Sequence, residues 1–292
     1  MHPSSAGPSA LSRREVLQLL AAGVAGSAVL PALVHAASTD EVDRRRIGRI
    51  GLQLYTVRSA LSKDIEGTIA AVAAAGITEL EFAGYYGKSP SWWTELLKKH
   101  GLIAPATHEA LPATDDGWSA IFDRAKGMGH DIVIVPFVGN NYRGTRDNWM
   151  RLTERLNTGA QKAKAAGLQF AYHNHDFEFA PVDGTTGYDI LTSQTDPSLV
   201  KLELDMYWAV KAGHDPLEIM RKHSGRVICC HVKDASAAPE RKMLDVGAGT
   251  IDFKTLLAKG RALGLTHWFI EHDQPTDPLA SIRASAAAMR RY

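Results

Sequence analysis

From about residue 47 onward, one unit recurs eight times: a short run of apolar and β-branched residues, then an amphipathic stretch. The strand candidates are Ile50–Val57, Glu79–Phe82, Ile103–Thr107, Asp131–Pro136, Gln169–His175, Val200–Asp205, Val227–Val232 and His267–Glu271. The helix candidates are Ile65–Ala75, Ser91–His100, Trp118–Met128, Thr145–Ala166, Tyr188–Gln194, Pro216–His223, Phe253–Leu263 and Pro278–Arg291. Such alternation implies parallel strands, because each helix carries the chain back to the end of the sheet where the previous strand began. Eight units predict an α/β fold, the (β/α)8 TIM barrel. A doubly wound open sheet would alternate in the same way. No Gly-x-Gly-x-x-Gly turn follows a strand candidate, and eight units suit closure better. Glycine stands between helix and strand at Gly76, Gly101, Gly129, Gly167, Gly225 and Gly264, where a left-handed cap ends a helix without a Cβ clash.

The N-terminal stretch has a different pattern. Ser12-Arg13-Arg14-Glu15-Val16-Leu17 precedes an apolar run from Leu19 to Val34, and Val34-His35-Ala36 suits cleavage after Ala36. Basic, hydrophobic and small-residue segments in that order are the anatomy of an export signal, and the arginine pair indicates the twin-arginine route. Gly23, Gly26 and Pro31 interrupt the run and argue against a stable spanning helix, although an uncleaved anchor is the competing reading. The expected organisation is a twin-arginine signal peptide over 1–36, a linker over 37–46 and the barrel over 47–292. The expected location is the periplasm or another extracytoplasmic compartment, with the translocation machinery as a partner.

Composition narrows the function. The net charge is +1, so no basic surface for nucleic acid is expected. The two cysteines, Cys229 and Cys230, are adjacent and cannot make a disulfide framework; they read as buried small apolar residues.

Polar residues collect at the C-terminal ends of the strand candidates, where barrels of this kind carry their chemistry. They are Gln53 and Tyr55, Glu81, His108-Glu109, His173-Asn174-His175, Glu203 and Asp205, His231 and Lys233, and Glu271 and Asp273. Side chains alternate along a strand, so turning Leu204 and Val232 toward the helices turns Glu203, Asp205, His231 and Lys233 inward. Asn174 then faces away from the lumen or bends into its mouth. His173 or His175, with Asp205, His231 and Glu271, would offer mixed imidazole and carboxylate ligands from four neighbouring strands. That set suits one divalent ion such as Mn, Zn, Co or Fe. Lys233 would hold a substrate oxygen, or a phosphate if the substrate carries one, or pair with Glu203 or Asp234. Val246-Gly247-Ala248-Gly249-Thr250-Ile251-Asp252 is a candidate phosphate loop before a helix N-terminus.

Leu52-Gln53-Leu54-Tyr55-Thr56-Val57-Arg58, Tyr172 through Phe179, Glu203 through Trp208, His231-Val232-Lys233-Asp234 and Phe269 through Asp273 resemble the sugar phosphate isomerase/epimerase group of xylose isomerase-like barrels. The resemblance covers almost the whole chain after the signal. It implies one divalent metal at the barrel mouth, held by Glu, Asp, His and Glu on strands five to eight. Asp205, His231 and Glu271 match the last three. At the first position His173 stands where the group carries Glu, with His175 as competitor, so the usual pair of opposed glutamates is incomplete.

The expected activity is metal-dependent isomerisation or epimerisation of a sugar or sugar derivative. Glu271 would abstract a proton beside the carbonyl, and His108, His173 or His175 would return it. Gln53, Tyr55, Glu81, Trp208 and Lys233 are the expected substrate contacts. Export brings in two alternatives: a lyase or glycoside-cleaving enzyme for 3-keto-glycosides, and a non-catalytic periplasmic sugar-binding protein. A homo-oligomer is left open.

Overall fold

The computed structural model describes residues 48–292. The signal-peptide and linker expectations lie outside the described residues. Eight parallel strands close into a barrel: β1 (Gly51–Gln53), β2 (Glu79–Phe82), β3 (Ile103–His108), β4 (Ile132–Val135), β5 (Gln169–His173), β6 (Val200–Asp205), β7 (Val227–Val232) and β8 (His267–Ile270), with β8 pairing back to β1. Closure excludes the open doubly wound sheet. The outer ring comprises α1 (Ile65–Ala74), α2 (Pro90–Lys99), α3 (Gly117–Met128), α4 (Arg146–Ala165), α5 (Gly187–Gln194), α6 (Pro216–Lys222), α7 (Phe253–Ala262) and α8 (Pro278–Met289). The six glycines that end helices all have positive φ, from +65° to +107°. Among the described residues, no helix is long and apolar enough to cross a membrane.

Alternation sorts each strand into two faces. Leu52, Leu80, Phe82, Val133, Val135, Phe170, Leu202, Leu204, Cys230, Val232 and Ile270 pack with the helices in one buried cluster. Ala106, Ile132, Ile134, Ala171, Cys229 and Phe269 belong to a separate buried cluster that plugs the lumen. Burying these side chains supplies the driving force for closure, at about 25 cal/mol per Å2 of apolar surface. At Gly51 a Cβ would lie 2.5 Å from Phe269 Cδ1, so glycine lets β1 approach β8. One step above the plug, the same inward parity delivers Gln53, Glu81, His108, His173, Glu203, Asp205 and His231. Both cysteines are free and buried, as expected.

Three strand ends differ from expectation. The first strand stops at Gln53, and Leu54–Val57 form a 3-10 turn that runs into a short helix, Arg58–Leu61. The Gln53 side chain accepts a hydrogen bond from Tyr55 N at 3.0 Å, which turns the chain despite the β-branched Thr56 and Val57. The fifth strand stops at His173, so strand parity does not place His175. The eighth stops at Ile270, and Glu271 continues its direction with a hydrogen bond from its N–H to Val232 O.

Candidate active site

Register brings the site together before any side chain acts. Asp205 of β6 pairs directly with His231 of β7, and His173 of β5 pairs with Glu203 of β6. Asp205 is also the N-cap of a short helix, Met206–Lys211: its Oδ1 accepts from Trp208 N at 3.0 Å. That bond leaves Oδ2 turned to the lumen, where Lys233 Nζ lies at 2.8 Å. Asn174 is buried and clamps the same strand end, accepting from Asp205 N at 3.1 Å and donating to Asp205 O at 3.4 Å. Its side chain therefore serves the backbone.

Two groups of ligand atoms, each within 4.8 Å of one another, share His231: Asp205, His231 and Glu271, and His108, His173, Glu203 and His231. The shared imidazole faces both. Its Nδ1 lies 2.6 Å from Glu271 Oε2 and 3.7 Å from Asp205 Oδ2, while Nε2 lies 2.7 Å from Glu81 Oε2 and 3.3 Å from Glu203 Oε2. Glu203 Oε2 stands 2.8 Å from His108 Nε2 and 3.0 Å from His173 Nδ1. Glu203 thus pairs with imidazoles, not with a lysine or arginine. His173 reaches toward the other group through Nε2, 3.7 Å from Asp205 Oδ2.

Charge explains what this cluster can accept. Burial alone would drive Lys233 neutral, but Asp205, Glu271 and Asp273 hold its pKa well above the ordinary value, and it stays an ammonium. Its partners are those three carboxylates, at 2.8, 2.7 and 2.8 Å, rather than Glu203 or Asp234. Burial also opposes ionisation of Glu203 and Glu271, yet the neighbouring His231, with His108 for one and Lys233 for the other, keeps both well below the usual carboxylate range. Four carboxylates are buried here around Lys233 and the imidazoles of His108 and His231, whose pKa values they push up. Glu81 Oε1 and Glu203 Oε1 are buried with no hydrogen-bond partner. A surplus of dry carboxylate oxygen beside imidazole fits a divalent cation, which satisfies such groups where protein donors do not.

Above the cluster opens a cavity of about 520 Å3. His108, His173, His175, Lys233, Glu271 and Asp273 line it with Tyr55, Arg58, Pro136 and Phe137. Two of its imidazoles are driven apart. Burial would lower His108, but Glu81 and Glu203 outweigh it and raise the pKa to about 9; burial, reinforced by Lys233, takes His175 down to about 3. His175 Nδ1 is buried and bears no hydrogen bond.

Other expected contacts fall elsewhere. Gln53 and Glu81 are fully buried beneath the cavity, with Gln53 Nε2 donating to Glu81 Oε2 at 2.7 Å and the same carboxylate oxygen 2.7 Å from His231 Nε2. Trp208 lies behind His175, ring centroids 5.5 Å apart. Phe137 was not foreseen: it follows β4 in a loop, where period-2 reasoning has no hold. The glycine loop is already occupied, because the Asp234 carboxylate accepts from Gly247, Gly249 and Ile251 N–H at 2.9, 2.9 and 3.1 Å.

Known proteins share this architecture. Inosose dehydratase from Geobacillus thermodenitrificans is 27% identical over 263 residues, spanning 78% of this chain and 88% of its own length. Inosose dehydratase from Lacticaseibacillus casei is 29% identical over 270 residues, spanning 80% and 90%. A sugar phosphate isomerase/epimerase structure from Parabacteroides distasonis superposes with a TM-score of 0.73 at 26% identity, covering 82% of this chain and 96% of that one. Residues 52–292, nearly all of the described barrel, match one family along their whole length. With the closed eightfold barrel and its ring of polar strand ends, that match makes this chain a member of the xylose isomerase-like TIM barrel family.

Proposed function

We propose that this protein is a metal-assisted lyase acting on a keto derivative of a sugar or cyclitol. It removes the proton next to the ketone and expels the substituent on the following carbon. The observation that carries this reading is the grouping of Asp205, His231 and Glu271 beneath a cavity that Glu271, Lys233, His108 and His175 line. Asp205, His231 and Glu271, with His173, would hold the cation. A divalent ion there would supply Lewis-acid polarisation of the ketone. Lys233 Nζ, pinned among three carboxylates, donates to the oxygen on which charge develops. His175, which lines the cavity without a charge, is placed to take the proton as it leaves carbon. His108, which lines the cavity and is held through Nε2 by Glu81 and Glu203, gives a proton to the departing oxygen. The relatives named inosose dehydratase support elimination from a keto-polyol.

Isomerisation or epimerisation is the second reading, favoured by the name of the Parabacteroides distasonis neighbour. The two share proton abstraction and part where the proton returns to carbon instead of a group leaving. Export by the twin-arginine route to the periplasm belongs to this proposal and rests on the Arg13-Arg14 segment.

The test is incubation of the metal-loaded protein with inososes, 3-keto-glycosides, and free and phosphorylated sugars in D2O, with products read by NMR. Loss of water or aglycone supports the lyase, and deuterium in an otherwise intact skeleton supports the isomerase. Neither product nor exchange across the panel would leave only a sugar-binding protein.

A further inference from the structure

The walls of the cavity discriminate against charge. The backbone donors of the glycine loop are taken by Asp234. Of the two permanent cations on the cavity wall, Arg58 donates to Tyr55 O at 2.8 Å and Asp273 O at 2.7 Å, and Lys233 is matched by three carboxylates. Glu271 and Asp273 line the same space. Away from the floor, where the metal and Lys233 would serve the reacting oxygens, a phosphate would meet the Asp273 carboxylate and find Arg58 already donating to two backbone carbonyls, a costly arrangement at low dielectric.

The rim offers apolar rings instead. Among the described residues, three large hydrophobic side chains are exposed, and two of them, Tyr55 at 43% and Phe137 at 52%, line this cavity. Neither is a loose surface ring. The Arg58 guanidinium lies 3.9 Å from the Tyr55 ring centroid. Phe137 is held by Arg143 at 4.3 Å and edge-on by His175 and Phe177 at 5.6 and 5.8 Å. Aromatic faces fixed in advance and left bare are stacking platforms that lose little entropy on binding. A cavity of about 520 Å3 falls in the range that encloses ligands larger than a single small ring.

We infer that the substrate is an uncharged, unphosphorylated glycoside, its sugar ring over the Asp205–His231–Glu271 floor and an apolar, ring-bearing aglycone against Phe137 and Tyr55. This rests on the reading of that floor as the place where the sugar reacts. It goes beyond that reading in assigning the leaving group and excluding phosphate.

Binding of unoxidised glycosides, which carry no ketone and cannot react, tests it apart from the chemistry. Isothermal titration of the metal-loaded protein would compare phenyl and methyl β-D-glucopyranosides, the matching galactosides, and the free and 6-phosphorylated sugars. The phenyl glycoside of one series should bind about tenfold tighter than its methyl partner, a difference of about 1.4 kcal/mol. The 6-phosphate should bind no tighter than the free sugar, and Phe137→Ala or Tyr55→Ala should bring the phenyl-to-methyl ratio toward one. Tighter binding of the phosphate, equal affinity for phenyl and methyl forms, an unchanged ratio in both variants, or no glycoside binding at all overturns the inference. Failure of the lyase reading is scored separately, by product formation from keto substrates.

Discussion

Lys233 Nζ lies 2.7 Å from Glu271 Oε2, an ammonium buried against a carboxylate that the neighbouring His231 also contacts at 2.6 Å. The barrel thus carries one cation of its own at the edge of a site built to accept another. Lys233→Met should destabilise the protein by roughly 3–5 kcal/mol, because Asp205 and Glu271 lose their buried partner. Saturating divalent metal should recover part of that loss. Urea titrations with metal and with chelator measure both effects, and a variant as stable as the parent in chelator would contradict the charge argument.

The two ligand groups around His231 can be separated by substitution. Asp205→Asn removes a proposed ligand and should weaken metal binding at least about 100-fold. Glu203→Gln disturbs the partner that orients His108 and His173, and should cost about tenfold. Metal content after dialysis against graded chelator gives the order. If Glu203→Gln proves the more damaging, the cation sits among His108, His173 and Glu203 instead.

His130 supplies a pH dependence away from the site. Its Nδ1 donates to Ala104 O at 2.6 Å, its Nε2 is buried without a partner, and burial takes its pKa down to about 4. Between the ordinary value of 6.5 and about 4, the unfolded chain takes up a proton that the folded chain refuses. Stability is therefore full above pH 6.5 and falls as pH drops through that window, by up to roughly 3 kcal/mol. His130→Asn keeps a donor for Ala104 O but cannot titrate. Its melting temperature, lower at neutral pH through lost contact with Phe82, should fall less steeply from pH 6.5 to 4.5 than that of the parent.

Asp234 holds the loop after β7 through four backbone N–H groups, those of Ala235, Gly247, Gly249 and Ile251. Asp234→Ala removes the acceptor for all four and should cost about 3 kcal/mol, with the loop becoming protease-sensitive. Limited proteolysis and thermal melting report it. An unaltered cleavage pattern would mean that the loop holds itself.

Local patterns were enough for the barrel. Strands and helices alternate because each short apolar run must be covered by an amphipathic helix, and eight such units leave no edge when closed. The inward parity of Asp205 and His231 was equally legible, since sending Leu204 and Val232 to the helices leaves the neighbouring residues no other face. Where strands end was not legible, because a strand stops when a cap captures its backbone. Gln53 turns the first one, and Asp205 starts a helix with the same carboxylate whose other oxygen faces Lys233.

The sequence alone determined the fold, the inward ring of polar residues and the candidate ligands Asp205, His231 and Glu271. Each follows from periodicity within one strand or from alternation along the chain. Only the tertiary structure decided which side chains meet across strands: Glu203 with three imidazoles, Lys233 with three carboxylates, Asp234 in the glycine loop, and Phe137 at the rim. These depend on register between strands and on loop paths, and the interactions that set them act between residues far apart in the chain.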